Sequence, residues 1–146
     1  MSQIAEETER HIDYVDQFRT REFVIHNRVD AISHAACTMA IDLDAKAIVV
    51  TSISGLTVRM VSRFRAPITI LGFATGKKAW YKLALSWGVV PVLTEQFPSM
   101  DVLYYYAIRA AMDALKLEKG DTVVLTGGNT SGESGNTNVI RIETVC

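Results

Sequence analysis

The sequence predicts an α/β fold, a three-layer α/β/α sandwich around a five-stranded, mostly parallel sheet of order 3-2-1-4-5 with its last strand antiparallel. Three observations predict it. Apolar, β-branched runs alternate with helix-periodic segments from Ala47 to Thr126, the pattern of strands joined by crossover helices. Pro91 interrupts the third run and has no N–H to donate, so that strand belongs at a sheet edge. The last two runs are joined by a Gly/Ser/Thr loop without a helix, so the final strand returns as a long hairpin. With right-handed crossovers the first strand becomes central and lies beside the fourth.

The elements follow in order. Residues 2–18 read as one weakly amphipathic helix with Ile4, Ala5, Thr8, Ile12 and Val15 on a face and Ser2 as N-cap. Residues 16–28 are polar and mixed in charge and read as a linker, which divides the chain into an N-terminal helix and linker (1–28) and an α/β domain (29–146). Asn27 and Asp30 have capping-box spacing, with Asp in place of the usual Glu. They precede a small-residue stripe of Ala31, Ile32, Ala35, Ala36, Met39, Ala40 and Leu43, suited to close packing. His34 beside that stripe reads as structural or surface.

The run from Ala47 is a strand buried on both faces, and Thr57, Met60, Val61 and Phe64 stand at helical spacing after it. Arg63 and Arg65 suit the C-terminus of that helix. Residues 67–72 form the second strand. Thr75 can cap a helix through Trp87 with Ala79, Trp80, Leu83, Ala84 and Trp87 inward, and Lys77, Lys78 and Lys82 solvated. Residues 89–93 form the third strand. Ser99 caps a long helix with Val102, Leu103, Tyr106, Ala107, Ala110, Ala111 and Ala114 buried. Tyr104 and Tyr105 fall largely outside that stripe and suggest a subunit contact, although partial burial alone would account for them. Residues 122–126 and 138–145 are the last two strands.

The totals bound the function. At 146 residues, 49% hydrophobic and 21% charged, the chain suffices for one domain with a real core. A net charge of −1 leaves no footprint for nucleic acid, and no apolar run approaches the ~18 residues of a membrane helix. The Glu-rich start lacks an apolar signal core. Cys37 and Cys146 make neither a disulfide framework nor a metal spacing, so a reducing, cytoplasmic setting is expected.

Function concentrates where the first strand turns through Thr51, Ser52, Ser54 and Gly55 into its helix. That bend aims hydroxyls and N–H groups at one point, and the helix N-terminus adds partial positive charge, which suits a phosphate. The plainer reading is that these residues only make the turn and cap the helix. In the expected strand order, the donor-rich loop 127–137 after the fourth strand meets this bend at the switch point, where ligands of open α/β sheets bind. No P-loop, GxGxxG, Ser–His–Asp or Cys–His pattern is present, and no acidic cluster is placed to hold Mg²⁺. The residues read as a binding module without a complete catalytic set.

The segments MSQIAEETE (1–9), AKAIVV (45–50), SGLTVR (54–59), WGVVPV (87–92), GDTVVLTG (120–127) and GNTNVIRI (135–142) resemble, in order and over nearly the whole chain, the C-terminal domain of pyruvate kinase. The resemblance implies an α/β domain carrying an allosteric effector site and part of an oligomer interface. The catalytic barrel would lie elsewhere, with its phosphoenolpyruvate, ADP, Mg²⁺ and K⁺ sites. It implies no cofactor and no catalytic residue in this chain.

The family's phosphate-cradling loop maps onto Ser52, Ile53, Ser54, Gly55, Leu56 and Thr57, with the hydroxyls of Ser52, Ser54 and Thr57 as donors. Its second effector loop maps onto Gly128, Asn129, Ser131, Gly132, Gly135 and Thr137. The implied partners are a sugar phosphate or nucleotide monophosphate, the catalytic barrel, and further copies of the chain. Leu56 and Ile53 stand where members of the family carry basic residues, Gly128 and Asn129 replace a Trp and an Arg, and Glu133 adds an acid. These departures weigh against bisphosphate binding more than against phosphate binding. A purely structural assembly module remains the alternative. A flavin protein on the same fold is disfavoured, because neither loop offers an aromatic ring to stack.

Overall fold

The computed structural model describes residues 1–128 and 136–146. Its elements are α1 (Ser2–Arg10), α2 (Tyr14–Thr20), α3 (Arg28–Asp42), β1 (Ala47–Thr51), α4 (Leu56–Arg63), β2 (Thr69–Ala74), α5 (Lys77–Leu83), β3 (Val89–Leu93), α6 (Met100–Leu115), β4 (Thr122–Gly128) and β5 (Thr137–Thr144). The sheet has the order β3-β2-β1-β4-β5, parallel except for the antiparallel β4–β5 pair. The expected topology is therefore realised. All five residues of β1 are buried, as its unbroken apolar run requires. β3 pairs only with β2, so Pro91 sits on the edge, and its carbonyl accepts a bond from Trp80 Nε1 at 3.3 Å.

Alternation along the strands sorts the interior into two layers. Ile48, Val50, Ile70 and Val124 face α3, α4 and α5, packing on Ala36, Cys37, Ala40, Val58, Val61 and Leu83. Ala47, Val49, Leu71, Phe73, Val123 and Leu125 face α6, packing on Tyr104, Ala107 and Ala111. Among the described residues, no helix is long and apolar enough to cross a membrane.

Several elements depart from expectation. The opening segment is two helices. Asp13 breaks the run and caps α2, accepting from Asp16 N at 3.0 Å. α1 buries no residue. The stretch read as a linker continues α2 and then sends Phe18 and Phe23 into a ring cluster with His34 and Phe64, centroids 4.9–5.4 Å apart. His34 is thus structural.

On α3 the inward face is Asp30, Ser33, Ala36, Cys37 and Ala40, whereas Ala31, Met39 and Leu43 are exposed. A helix crowded with alanines has apolar residues on every side, so its stripe does not identify the buried face. The same ambiguity turns α6, where Tyr104 is inward and Tyr106 is 53% exposed. The exposed neighbouring pair is Tyr105 and Tyr106, with Phe97 stacked on Tyr106.

β2 starts two residues late, because Arg65 turns the chain at φ +55° ahead of Pro67. α5 ends at Leu83 and not at Trp87, leaving Ala84 exposed. Trp87 instead packs on Tyr14 and under the Arg65 guanidinium. Thr75 does not cap α5; its hydroxyl donates to the Ile53 carbonyl at 3.4 Å.

The capping signature of α3 takes a modified form. Asn27 Oδ1 accepts from Asp30 N at 2.9 Å, as its spacing predicts, but Asp30 Oδ2 reaches past it to His26 N at 3.2 Å. The other carboxylate oxygen lies 3.4 Å from Arg63 Nη2, and the Asp30 side chain is 3% exposed. Burial pushes the Cys37 thiol up to about 12, so this cysteine stays protonated and inert at neutral pH.

Two substitutions test this packing. A Cβ at Gly72 would lie 2.7 Å from Val58 Cγ1 and 3.2 Å from Val89 Cγ1. Gly72→Ala should therefore lower stability in urea unfolding by about 1–3 kcal/mol. An unchanged midpoint would mean that α4 shifts freely over β2. Arg63→Ala strands the buried Asp30 carboxylate and should cost about 1–3 kcal/mol, discounted because the arginine is half-exposed. Adding Asp30→Asn should recover part of that loss, and strict additivity of the two changes would rule out the pairing.

Candidate functional site

The site is built at the carboxyl ends of β1 and β4. Thr51, the last residue of β1, pairs with Gly127 of β4. Beyond it Ser52 N donates to Phe73 O at 3.1 Å, and Ser52 Oγ accepts from Gly55 N at 3.0 Å, folding residues 52–55 into a closed bend. Gly55 has φ +79° and packs on Leu83, so a side chain there would be both strained and crowded. As N-cap of α4, Gly55 makes no side-chain cap bond to the helix. The positive end of the helix dipole is thus presented at the bend. The Thr75–Ile53 bond ties the next loop along the sheet to the same bend.

The second loop is anchored by a β-bulge. β4 and β5 pair Gly127 with Val139 but Gly128 with Thr137, so one residue is gained. Strict alternation from Ile140 would point Asn138 toward α4. The bulge resets the alternation, and Thr137 turns that way instead. Its hydroxyl meets that of Thr57 at 2.5 Å, with both residues 2% exposed. A bond spanning 80 residues of sequence therefore joins the root of the β4–β5 loop to the first turn of α4.

Among the residues mapped to the site, Ser52, Ile53 and Leu56 are half-buried, Ser54 is exposed, and Gly55 and Thr57 are buried. Gly128 is half-buried and Thr137 is buried. Asn129, Ser131, Gly132 and Gly135 lie outside the described residues. The structure brings Thr57 and Thr137 together, and their hydroxyls are engaged with each other. Two neighbours were not among the candidate contacts. They are Thr75, which the sequence offers as a helix cap, and Thr51, which it places in the bend. The Thr51 signal in the sequence was parity: as the last member of a wholly buried strand, its hydroxyl had to be enclosed.

Comparison with known proteins agrees with this architecture. The family model described as "Pyruvate kinase, alpha/beta domain" matches residues 30–143. A pyruvate kinase of Clostridium acetobutylicum is 36% identical over 147 aligned residues, covering 99% of this chain and 31% of that protein. One from Thermotoga maritima is 34% identical, covering 97% of this chain and 30% of the relative. One from Sporosarcina psychrophila is 32% identical, covering 99% and 25%. The chain thus spans between 25% and 31% of the length of these relatives. On sheet order, match and coverage together, this chain belongs to the pyruvate kinase α/β-domain family.

Proposed function

We propose that this chain is the regulatory, effector-binding and assembly part of a pyruvate kinase, the enzyme that transfers phosphate from phosphoenolpyruvate to ADP. Residues 1–28 are its entry segment and 29–146 its α/β domain, in a cytoplasmic setting. The effector is a phosphorylated small molecule, a sugar phosphate or nucleotide monophosphate, received at the loops after β1 and β4. Ser52, Ser54 and the N–H groups at the start of α4 face its phosphate. Gly128, Asn129, Ser131, Gly132 and Gly135 supply the second loop. Thr57 and Thr137 hold the two loops together. Phosphoryl transfer itself, with its Mg²⁺ and K⁺, belongs to a catalytic barrel outside this chain.

The observation that carries this reading is the Thr57–Thr137 bond. It ties the first turn of α4 to the start of β5 at the switch point of the sheet, beside a helix N-terminus whose N-cap is a glycine. The assembly part of the reading draws on Met39 and Leu43 of α3 and Ile142 of β5, large apolar side chains 38–47% exposed on the α3 side of the sheet.

Calorimetry with sugar phosphates and AMP should give saturable binding, and Ser54→Ala should weaken it about 3- to 10-fold. Equal heats for both proteins would reject the assignment of this bend. The purified chain should form no pyruvate from phosphoenolpyruvate and ADP in a coupled assay. Turnover that co-purifies with the chain would overturn the division of labour.

A further inference from the structure

α4 is a short rod, about 12 Å long for its 8 residues, and it is gripped at both ends. In its first turn Thr57 is bonded to Thr137 of β5. Along its length Thr57, Val58, Val61 and Ser62 are buried, and Val58 lies so close to Gly72 that a Cβ there would meet it at 2.7 Å. A helix of about two turns packed this tightly moves as one body. At its carboxyl end consecutive side chains reach outward. Ser62 Oγ donates to the Trp87 carbonyl at 2.6 Å. Arg63 pairs with Asp30, whose other carboxylate oxygen accepts from His26 N. The Phe64 ring meets Phe23 edge-on at 4.9 Å and His34 at 5.4 Å. The Arg65 guanidinium lies 5.2 Å from the Trp87 ring, against which Tyr14 packs at 5.1 Å.

Residues 14–26 are otherwise lightly attached. α1 buries no residue, and α2 buries only Phe18, whose ring rests on Phe23 and His34. The Arg19–Asp42 pair at 3.7 Å is exposed on both sides and worth little. A segment with so little buried surface opens locally at a lower free energy than the core. What holds it converges on residues 62–65, at the far end of the helix that starts from the bend.

We propose that α4 couples the bend after β1 to the docking of residues 14–26, so that tightening or loosening its first turn shifts this segment between a docked and a lifted state. For the ligand that tightens the bend, this rests on the effector reading above, and it deepens that reading by naming the device that carries regulation to the entry segment. The coupling works in both directions, because two sites that bias one equilibrium must affect each other equally.

The test is native-state hydrogen exchange on the full chain, read at the bonded amides of Gln17, Arg21 and His26 and at Arg59 N, which bonds Gly55 O in the first turn of α4. Thr57→Val should speed exchange in 14–26 by about 3- to 10-fold, and Thr57→Ser should restore it. Phe23→Leu should in turn speed exchange at Arg59, with Tyr14→Leu in its place should Phe23→Leu fail to fold. Ala111→Gly on α6 loosens the opposite layer and should leave 14–26 unchanged. Unaltered exchange in 14–26 for Thr57→Val, or an equal rise in Ala111→Gly, would overturn the coupling. A hexose monophosphate or AMP that binds should slow exchange in 14–26, and Phe23→Leu should weaken that binding by the same factor. Binding without any change in 14–26 overturns the coupling and leaves the effector reading intact. Absence of binding, with the Thr57 and Phe23 effects present, rejects the effector reading and supports the coupling.

Discussion

The parallel pairing of β1 between β2 and β4 is the constraint on which the rest of the structure depends. A parallel sheet sends all of its carboxyl ends to one edge, and only crossover helices can connect its strands. With β1 central, one crossover leads outward through α4 to β2, and the return through α6 delivers β4 to the opposite side of β1. β1 and β4 then end side by side, at the point where the winding of the sheet reverses, which is where open α/β sheets bind ligands. Nothing about the chemistry of the loops that follow is needed to create that point. Their chemistry only decides what it accepts.

The two layers flanking β1 are made differently. Beneath α6 the contacts are apolar apart from Tyr104 and Thr51. Burial raises the Tyr104 phenol above its ordinary value, opposed by Arg141, whose guanidinium lies 5.8 Å from the ring centroid. Beneath α3 and α4 the interior holds Asp30, Ser33, Thr57, Thr126 and Thr137. Most of these groups are satisfied locally: Thr57 by Thr137, Thr126 by the Val139 carbonyl, Asp30 by Arg63 and the His26 N–H. Buried polar groups paired in this way contribute little net stability, but removing one partner is expensive, so they fix geometry more than they add to the total. The layer that carries the Thr57–Thr137 bond is the one so fixed.

What could be read from the sequence follows from this division. Strand order was legible because it rests on coarse signals: a proline in one run, a helix-free hairpin, and a first strand apolar throughout. Helix orientation was not. In α3 and α6 the alanines pack equally well on any side, and the true inward faces depend on which neighbour arrives, such as Cys37 bonding toward the Val61 carbonyl or Tyr104 meeting Arg141. Phe18 and Phe23 looked like part of an exposed crossing because their partners, His34 and Phe64, lie far along the chain. The two donor-rich loops were legible from composition. The bond between them was not, because it depends on a one-residue bulge that reverses the facing of Thr137.

The bend after β1 is already shaped before any ligand arrives. Ser52 closes it onto Gly55, Thr75 ties its carbonyl to the neighbouring loop, and Gly55 takes a backbone conformation that costs a glycine little. Ordering such a bend on binding therefore consumes little conformational entropy, which otherwise takes a share of the interaction energy. This matters for the proposed effector site, because β1, the bend after it and β4 contain no Lys, Arg or His. Neutral donors are individually weak, and they hold an anion only when they converge without first having to be assembled. In the proposed site, preorganisation from β1, the bulge and the threonine pair would supply the geometry that a guanidinium elsewhere supplies with charge. Selectivity at such a site would come from where the donors point, and binding would be less sensitive to salt than at an arginine-lined site.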